Sequence, residues 1–522
     1  MKIKFEFLDG ECWWGGSSIR GTQYPLTDKS FLEENFHIMA DNQTMPFYLS
    51  DRGRYIWSEH PFKVKVENGC FEFEGEDINI YNGGSSLKEA YLTAMQKHFP
   101  FNQKRLPREF FKTAQYCTWM EYTYHPTQEK VLQYAKDIVG NGLEPGILII
   151  DEGWHGRYGD WEFDFYKFPD PKKMVDELHQ MGFKVMLWVV PAVCPDGLNF
   201  VSCTCKKLDF EGKHQDLFVR NAKGDVALFH WWNGYSAMLD MRKAEDRKFF
   251  ADQLNHLMNT YGVDGFKFDG GSIDMYTASN IINGEPREDH DAAAMNIAWN
   301  NFGTSYEYHE FKDTFKGGGK NAIQRIRDRG HRWDFDGINT LIPCMITQGL
   351  LGTPFICPDM IGGGEWDYAV RPNFKIDEEL FVRMAQASAL APMMQFSWAP
   401  WRVLSEENYQ CIVDAAQLHK KISDRIIEVI SKSEISGEPV VRNLEYVDPH
   451  QGYQFVSDEF LIGEDLLVAP VVTPNTYERA VVFPLGMWKD EDGNLYEGRS
   501  EYILKSPINK LLYFTRVHED TK

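Results

Sequence analysis

Four aspartates each close a short apolar run: Asp151 in GILIID, Asp269 in GFKFD, Asp336 (two residues after Asp334) in HRWDFD, and Asp359 in PFICPD. Carboxylates that converge on one pocket can bind a metal ion, or they can act as an acid and nucleophile pair. Metal sites usually show histidines or tightly spaced acids, as in HExxH or DxDxDG loops. Here Asp334 and Asp336 are the only close pair at a strand end, and no histidine accompanies them in a ligand pattern. His230 and His331 read as structural or hydrogen-bonding residues. No metal and no organic cofactor are therefore expected. Hydrolysis of a glycosidic bond needs two carboxyls and aromatic walls and no cofactor. The walls are available, since 14% of the residues are aromatic and 15 are Trp, although any one Trp can equally be core. A strand-terminal Asp is also a common turn residue. It is the four together that point to a site.

The elements that must position these acids follow from the patterning. GILIID and FKVMLWVV are continuous apolar runs of the kind buried on both faces of a parallel sheet, and AQYCTW is a further strand ending at Trp119. Between them the period becomes helical. After Thr127 as a cap, Val131, Leu132, Ala135, Ile138 and Val139 share one face, and Gly140 and Gly142 stop the helix. Asp170 caps a second helix with Pro171 in its first turn, Met174, Val175 and Leu178 facing inward, and Gly182 at its end. A third helix over residues 244–262 leads into the strand VDGFKFD. Alternation of this kind across nearly 300 residues predicts a (β/α)8 TIM barrel from 108 to 434. No glycine fingerprint for a dinucleotide follows the first strand. Residues 1–107 carry short alternating runs such as FKVKVENGCFEFEG and predict an N-terminal β-sandwich. Residues 435–522 turn β-like again and predict a C-terminal β-sandwich. In such a barrel the C-terminal strand ends carry the active site. Lys267 lies two residues before Asp269 and points to the same side of the strand. It either holds Asp269 ionised or forms a structural ion pair. Asp264, at the strand's start, reads as a turn or cap residue.

The composition sets further bounds. The 522 residues carry 43% apolar and 25% charged side chains, the pattern of a soluble globular protein. A net charge of -22 repels phosphate backbones and anionic lipid, so neither nucleic acid nor a membrane is an expected partner. No run of about 18 apolar residues is present. The opening MKIKFEFLDGECWWGG lacks the apolar core of a signal peptide. The nine Cys are scattered, with Cys203 and Cys205 as the one close pair. A reducing cytoplasm is the expected location. The expected partner is a small carbohydrate; a homo-oligomer is left open.

The ordered set TWMEYTYHPTQEKVLQYAKDIVGNGLEPGILIIDEGW, GDWEFDFYKFPDPKKMVDELHQMGFKVMLWVVP, WWNGYSAMLD, FKFDGG, LLGTPFICPDMIGG, MQFSWAPWR and FLIGEDLLVAPVV resembles glycoside hydrolase family 31, nearest its α-galactosidase-like branch. The motifs run from about residue 108 to 472, and CWWGG extends the likeness toward the N-terminus. The resemblance implies a retaining mechanism. Asp269, at the end of the fourth barrel strand, takes the nucleophile's place. Asp336, closing a W-x-x-D pattern with Trp333, takes that of the acid/base. Asp151 matches an aspartate that holds sugar hydroxyls, and Asp359 matches the aspartate of a DIGG-like segment. Arg325 best matches an arginine that bonds both carboxylate and sugar, with Arg329 as second choice. Trp188, Trp232 and Trp398 match pocket-wall positions.

Two departures stand out. Ser272 occupies the place of a glutamate in the branch's AGE turn. Pro400 occupies the place of a sugar-binding histidine in the family's α-glucosidases, which tilts the expectation toward an α-galactoside. The sugar otherwise stays open among galactose, glucose and N-acetylgalactosamine. Readings from other classes are a transglycosidase or lyase using the same pocket, and a non-catalytic sugar-binding protein. Product analysis separates the first from hydrolysis, and an inert chain that still binds sugar would mark the second.

Overall fold

A computed structural model describes residues 2–39, 42–204 and 217–518. Cys205 lies outside the described residues. The apolar runs form a closed parallel barrel. Its strands are β1 (Gln115–Cys117), β2 (Ile147–Ile150), β3 (Lys184–Val189), β4 (Gly265–Phe268), β5 (Tyr308–Phe311), β6 (Ile323–Arg325), β7 in two pieces (Ile356–Cys357 and Met360–Ile361) and β8 (Gln395–Phe396). Each pairs in parallel with the next, and β8 returns to β1. β6 pairs with the first piece of β7, and the second piece pairs with β8. Pro358 and Asp359 thus interrupt the seventh strand. The expected TIM barrel is present.

The local signals explain the helices. Thr127 accepts from the Lys130 amide and Asp170 from the Lys173 amide, each satisfying a donor that the first helical turn leaves open. The helix Gln128–Gly140 buries Val131, Tyr134, Ala135 and Ile138. Val139 is 46% exposed, which corrects its placement on the buried face. One residue beyond Ile138 is about 100° round the helix, and Tyr134 fills the stripe instead. The run AQYCTW stops as a strand at Cys117, and the short helix Trp119–Tyr122 follows. That turn carries Trp119 to the barrel mouth.

The N-terminal residues form two sheets. Lys2–Glu6, Cys70–Glu74, Lys63–Glu67 and Leu32–Asn35 make one, and Trp13–Ser17, Gln43–Ser50, Arg54–Trp57 and Asn79–Asn82 make the other. A helix, Leu87–His98, follows them in the stretch whose pattern read as β-rich. The second sheet takes one strand from the barrel: Thr314–Phe315, just past β5, pairs in parallel with Gln43 and Thr44. Gln43 Nε2 donates to the carbonyls of Lys312 and Arg325, both at 3.1 Å. The second sheet therefore grips the chain at the ends of both β5 and β6.

After the barrel, the helix Glu406–Ser436 leads into a six-stranded sheet and a two-stranded ladder, Glu478–Phe483 with Ser500–Lys505. Leu461, Leu467, Val481, Phe483, Trp488 and Phe514 pack in this C-terminal region. Among the described residues no helix is long and apolar enough to cross a membrane.

Candidate active site

The turn after β4 sets the geometry. Lys267 and Asp269 alternate toward the barrel interior, while Phe266 and Phe268 pack outward, Phe268 with its ring centroid 5.3 Å from that of Trp299. Gly270 and Gly271 then adopt φ of +59° and +63°. A Cβ on Gly271 would stand 2.6 Å from the Trp299 ring. No other residue both tolerates that backbone and fits that gap. The tight turn leaves Asp269 at the strand end, 7% exposed. Its Oδ1 accepts from the Gly270 amide at 2.8 Å, and its Oδ2 from Trp188 Nε1 at 2.9 Å.

Lys267 does not bond Asp269. Its ammonium donates to Asp151 Oδ2 at 2.7 Å, and both side chains are 3% exposed. The Cys117 thiol donates to the same oxygen at 2.9 Å. The cation nearest in effect to Asp269 is Lys312, which sequence reasoning missed. Phe268 and Phe311 are partners in the β4–β5 register, so the next residues, Asp269 and Lys312, stand side by side. Burial works against the charge of Asp269. Lys312, then Lys267, then the Trp188 N–H outweigh it, and the carboxyl is held below the usual carboxylate range. Lys312→Met should therefore raise the Asp269 pKa and move the acid limb of the pH profile of kcat/KM upward. An unmoved acid limb would show that Lys312 does not hold the charge.

β6 places Arg325 in the middle of an acid cluster. Its Nη1 lies 2.7 Å from Asp359 and 2.8 Å from Asp328, and its Nε lies 3.6 Å from Glu310. Asp328 also accepts from Lys312 at 2.6 Å. Burial opposes its charge, but Lys312 and Arg325 override it and hold Asp328 well below the usual range. Asp359 differs: burial pushes it up to about 6 despite Arg325. Its oxygens accept from the amides of Met360 and Arg329, both at 2.7 Å, so it organises the break in β7 and the loop after β6. Arg329 is buried and donates through Nε to Thr340 at 2.6 Å. Removing one partner of such a buried network typically costs ~3–5 kcal/mol.

The cavity over these strand ends has a volume of about 280 Å³. That is just under the usual range of ligand sites, ~300–1,000 Å³, and suits a small ligand rather than a long chain. Of the residues singled out from the sequence, Asp151, Trp188, Trp232, Lys267 and Asp269 line it. Trp119, Tyr124 and Trp366 form one aromatic wall, with Trp119 and Tyr124 edge to face at 5.3 Å and Tyr124 and Trp366 at 6.1 Å. The remaining lining is acidic or basic: Glu152, Asp274, Lys312, Asp313, Asp328 and Glu365, with Ser272. Ser272 Oγ donates to Asp274 Oδ1. A roomier cleft of about 1000 Å³, lined by His37, His60, Arg242 and the 288–293 segment, lacks these convergent strand-end groups.

Five residues of the sequence reading lie outside this lining: Arg325, Trp333, Asp336, Asp359 and Trp398. Arg325 and Asp359 are fully buried in the network behind it. Asp336 is half-buried and accepts from Arg327 Nη2 at 2.6 Å. Trp333 donates to Asp377 at 2.8 Å, and Trp398 stacks on Phe374 at 6.2 Å. The missed residues had a signal. Lys312 ends β5 by the same strand-end rule that found the aspartates, and Glu152 directly follows Asp151. Asp328 lies three residues after Arg325, within its reach. Among the described residues no group of three or more His, Cys, Asp or Glu side chains is arranged to hold a metal ion.

Residues 105–422 match the family model for the Glycosyl hydrolases family 31 TIM-barrel domain, and residues 437–518 match that for the Glycosyl hydrolase family 31 C-terminal domain. The chain is 31% identical over 445 residues to the Myogenesis-regulating glycosidase of Mus musculus, covering 83% of this chain and 60% of that protein. It is 24% identical over 486 residues to Alpha-glucosidase 2 of Bacillus thermoamyloliquefaciens, covering 87% of this chain and 58% of that one. The chain thus spans about 60% of the length of these relatives. Among solved structures, a dextranase of Flavobacterium johnsoniae complexed with glucose superposes with TM-score 0.80 at 18% identity, over 99% of this chain and 66% of that one. A sulfoquinovosidase from E. rectale superposes with TM-score 0.82 at 17% identity, over 99% and 82%. These structures share the fold.

Proposed function

Because the chain belongs to glycoside hydrolase family 31, we propose that it is a retaining, exo-acting α-glycosidase whose preferred substrate is a terminal α-galactoside. The observation that carries this reading is Asp269. It is an ionised carboxylate held by Trp188 and flanked by Lys312, at the base of a small aromatic-walled cavity. An ionised, oriented carboxylate is what attack on an anomeric carbon requires.

In the first step Asp269 attacks the anomeric carbon and the glycosidic C–O bond breaks, giving a β-linked glycosyl-enzyme. A carboxylic acid protonates the departing oxygen. In the second step that group, now a carboxylate, takes a proton from water as the water displaces Asp269. We assign the proton donor to Asp336. Asp328 is the second reading, favoured by its place in the cavity lining. Two cations hold Asp328 ionised, which opposes its serving as an acid at rest, whereas Asp336 has the cation Arg327 against it. Asp151, with Lys267, is assigned to the sugar hydroxyls.

The preference for galactose is supported by Pro400 at the place of the α-glucosidase histidine. The Ser272–Asp274 pair supports it too, offering a carboxylate near where the family's glutamate would stand. A p-nitrophenyl panel of α-galactoside, α-glucoside, α-xyloside and α-N-acetylgalactosaminide tests the proposal. The galactoside should show the highest kcat/KM, by at least about tenfold, because a site that bonds a hydroxyl is left with unpaired polar groups by the epimer. A higher value for the glucoside or the N-acetylgalactosaminide would move the assignment to that sugar. NMR should show the α-anomer as the first product; a β-anomer would mean inversion. Sugar appearing mainly on an acceptor would mean a transglycosidase.

A further inference from the structure

Glu152 lines the cavity, yet the proposed mechanism does not use it. It follows Asp151 past the end of β2 and is 3% exposed. Two side chains from later in the chain converge on one of its oxygens: Tyr158 Oη and Asn233 Nδ2 both donate to Oε1. Asn233 and Trp232 form the two-residue turn of the hairpin Leu228–Trp231 and Gly234–Met238. Trp232 is 54% exposed but lines the cavity. The tip of its indole lies 3.3 Å from where a Cβ on Gly270 would stand, beside Asp269. Tyr158 reaches the same hairpin. Its ring centroid is 5.1 Å from that of Trp231, which is 4.9 Å from that of Trp232. Both partners of Glu152 therefore lead to one indole.

We propose that Glu152 is a positioning residue: its carboxyl pins the hairpin turn through Asn233 and Tyr158, and so holds Trp232 beside Asp269 as a wall of the sugar site. The inference rests on the glycosidase reading for what Trp232 closes over, and not for the pin itself.

The groups that face Glu152 are Asp151 from its own segment, Asp269 from β4, Tyr158, Asn233 from the hairpin, and Tyr124 from the segment after β1. The charged ones are both carboxylates. Burial first, then Asp151 and Asp269, push the Glu152 pKa up to about 8, against hydrogen bonds from Tyr158 and Asn233 that act the other way. With the hairpin lifted and water admitted, a glutamate titrates near ~4.3. Closure therefore takes up a proton between these values. It is most favoured below the lower one, weakens as pH rises through the interval, and changes no further above the upper one.

Hydrogen exchange of peptides spanning residues 228–238 tests the pin on the full chain without substrate, at about pH 6 and about pH 8.5 and corrected for intrinsic rates. Asn233→Ala should speed exchange about tenfold at the lower pH, the order expected for one lost buried hydrogen bond, and Glu152→Ala, which removes two, by at least as much. Glu152→Gln, which keeps the accepting oxygen and cannot ionise, should stay within about twofold of wild type there. It should also escape the loosening that wild type shows at the higher pH. Wild-type exchange in Glu152→Ala, or a Gln variant that follows the wild-type pH response, would overturn the proposal. If Glu152→Ala does not fold, Asn233→Ala, in the turn, carries the same test. Exchange as expected in a chain that cleaves no glycoside would leave the pin standing and remove only the reading of what it closes over.

Discussion

Asp269→Ala is expected to lower kcat/KM by at least about 10⁴-fold, because in the proposed mechanism this carboxylate forms the glycosyl-enzyme. The fold should survive the change. The two lysines beside Asp269 each keep another carboxylate, Lys312 with Asp328 and Lys267 with Asp151. Trp188 loses one acceptor, but its ring remains packed in the barrel mouth. The chemistry offers a positive control. Azide can enter the space left by the carboxylate and attack from the same face, so an activated α-glycoside should give a β-glycosyl azide. Product anomery by NMR then reads the face of attack directly. A variant with unchanged melting and more than a few per cent of wild-type activity would remove Asp269 from the nucleophile's role.

The second large effect separates Asp336 from Asp328. Asp336→Ala should cost about 10²–10⁴-fold on an oligosaccharide, whose leaving oxygen needs a proton. It should cost less than about tenfold on a glycosyl fluoride, whose leaving group does not. Asp328→Ala is expected to be severe on both. It strips a carboxylate from Lys312 and Arg325 at once and so disturbs the charge balance at Asp269. The split between substrates, rather than the size of either loss, identifies the acid. Were the split to appear in Asp328→Ala and not in Asp336→Ala, the role would pass to Asp328.

The barrel was legible because buried parallel strands are continuous apolar runs, and their ends located Asp151 and Asp269. The side of the strand on which Lys267 points was legible too, from the two-residue period. Its partner was not, because the pairing with Asp151 depends on how β2 and β4 face each other across the barrel. Lys312 obeyed the same strand-end rule but was passed over in a search for acids. Glu152 had no sequence signal beyond adjacency, since its importance comes from desolvation and from a hairpin more than 70 residues away. Arg325, Asp328 and Asp359 form one network because β7 breaks at Pro358 and Asp359. A spacing-based match to a motif cannot foresee that break, so it left the carboxylate partners of Arg325 unnamed.

The side-chain amide of Gln43 holds two carbonyls at once, those of Lys312 and Arg325. Those residues carry the cations that set the charge of Asp269 and Asp328, so the N-terminal sheet fixes the spacing of the electrostatic pair from outside the barrel. A chimera that grafts this barrel onto another family member's N-terminal sheet would exchange more than a support. It would retune the acidity of Asp269 through a residue that does not line the cavity.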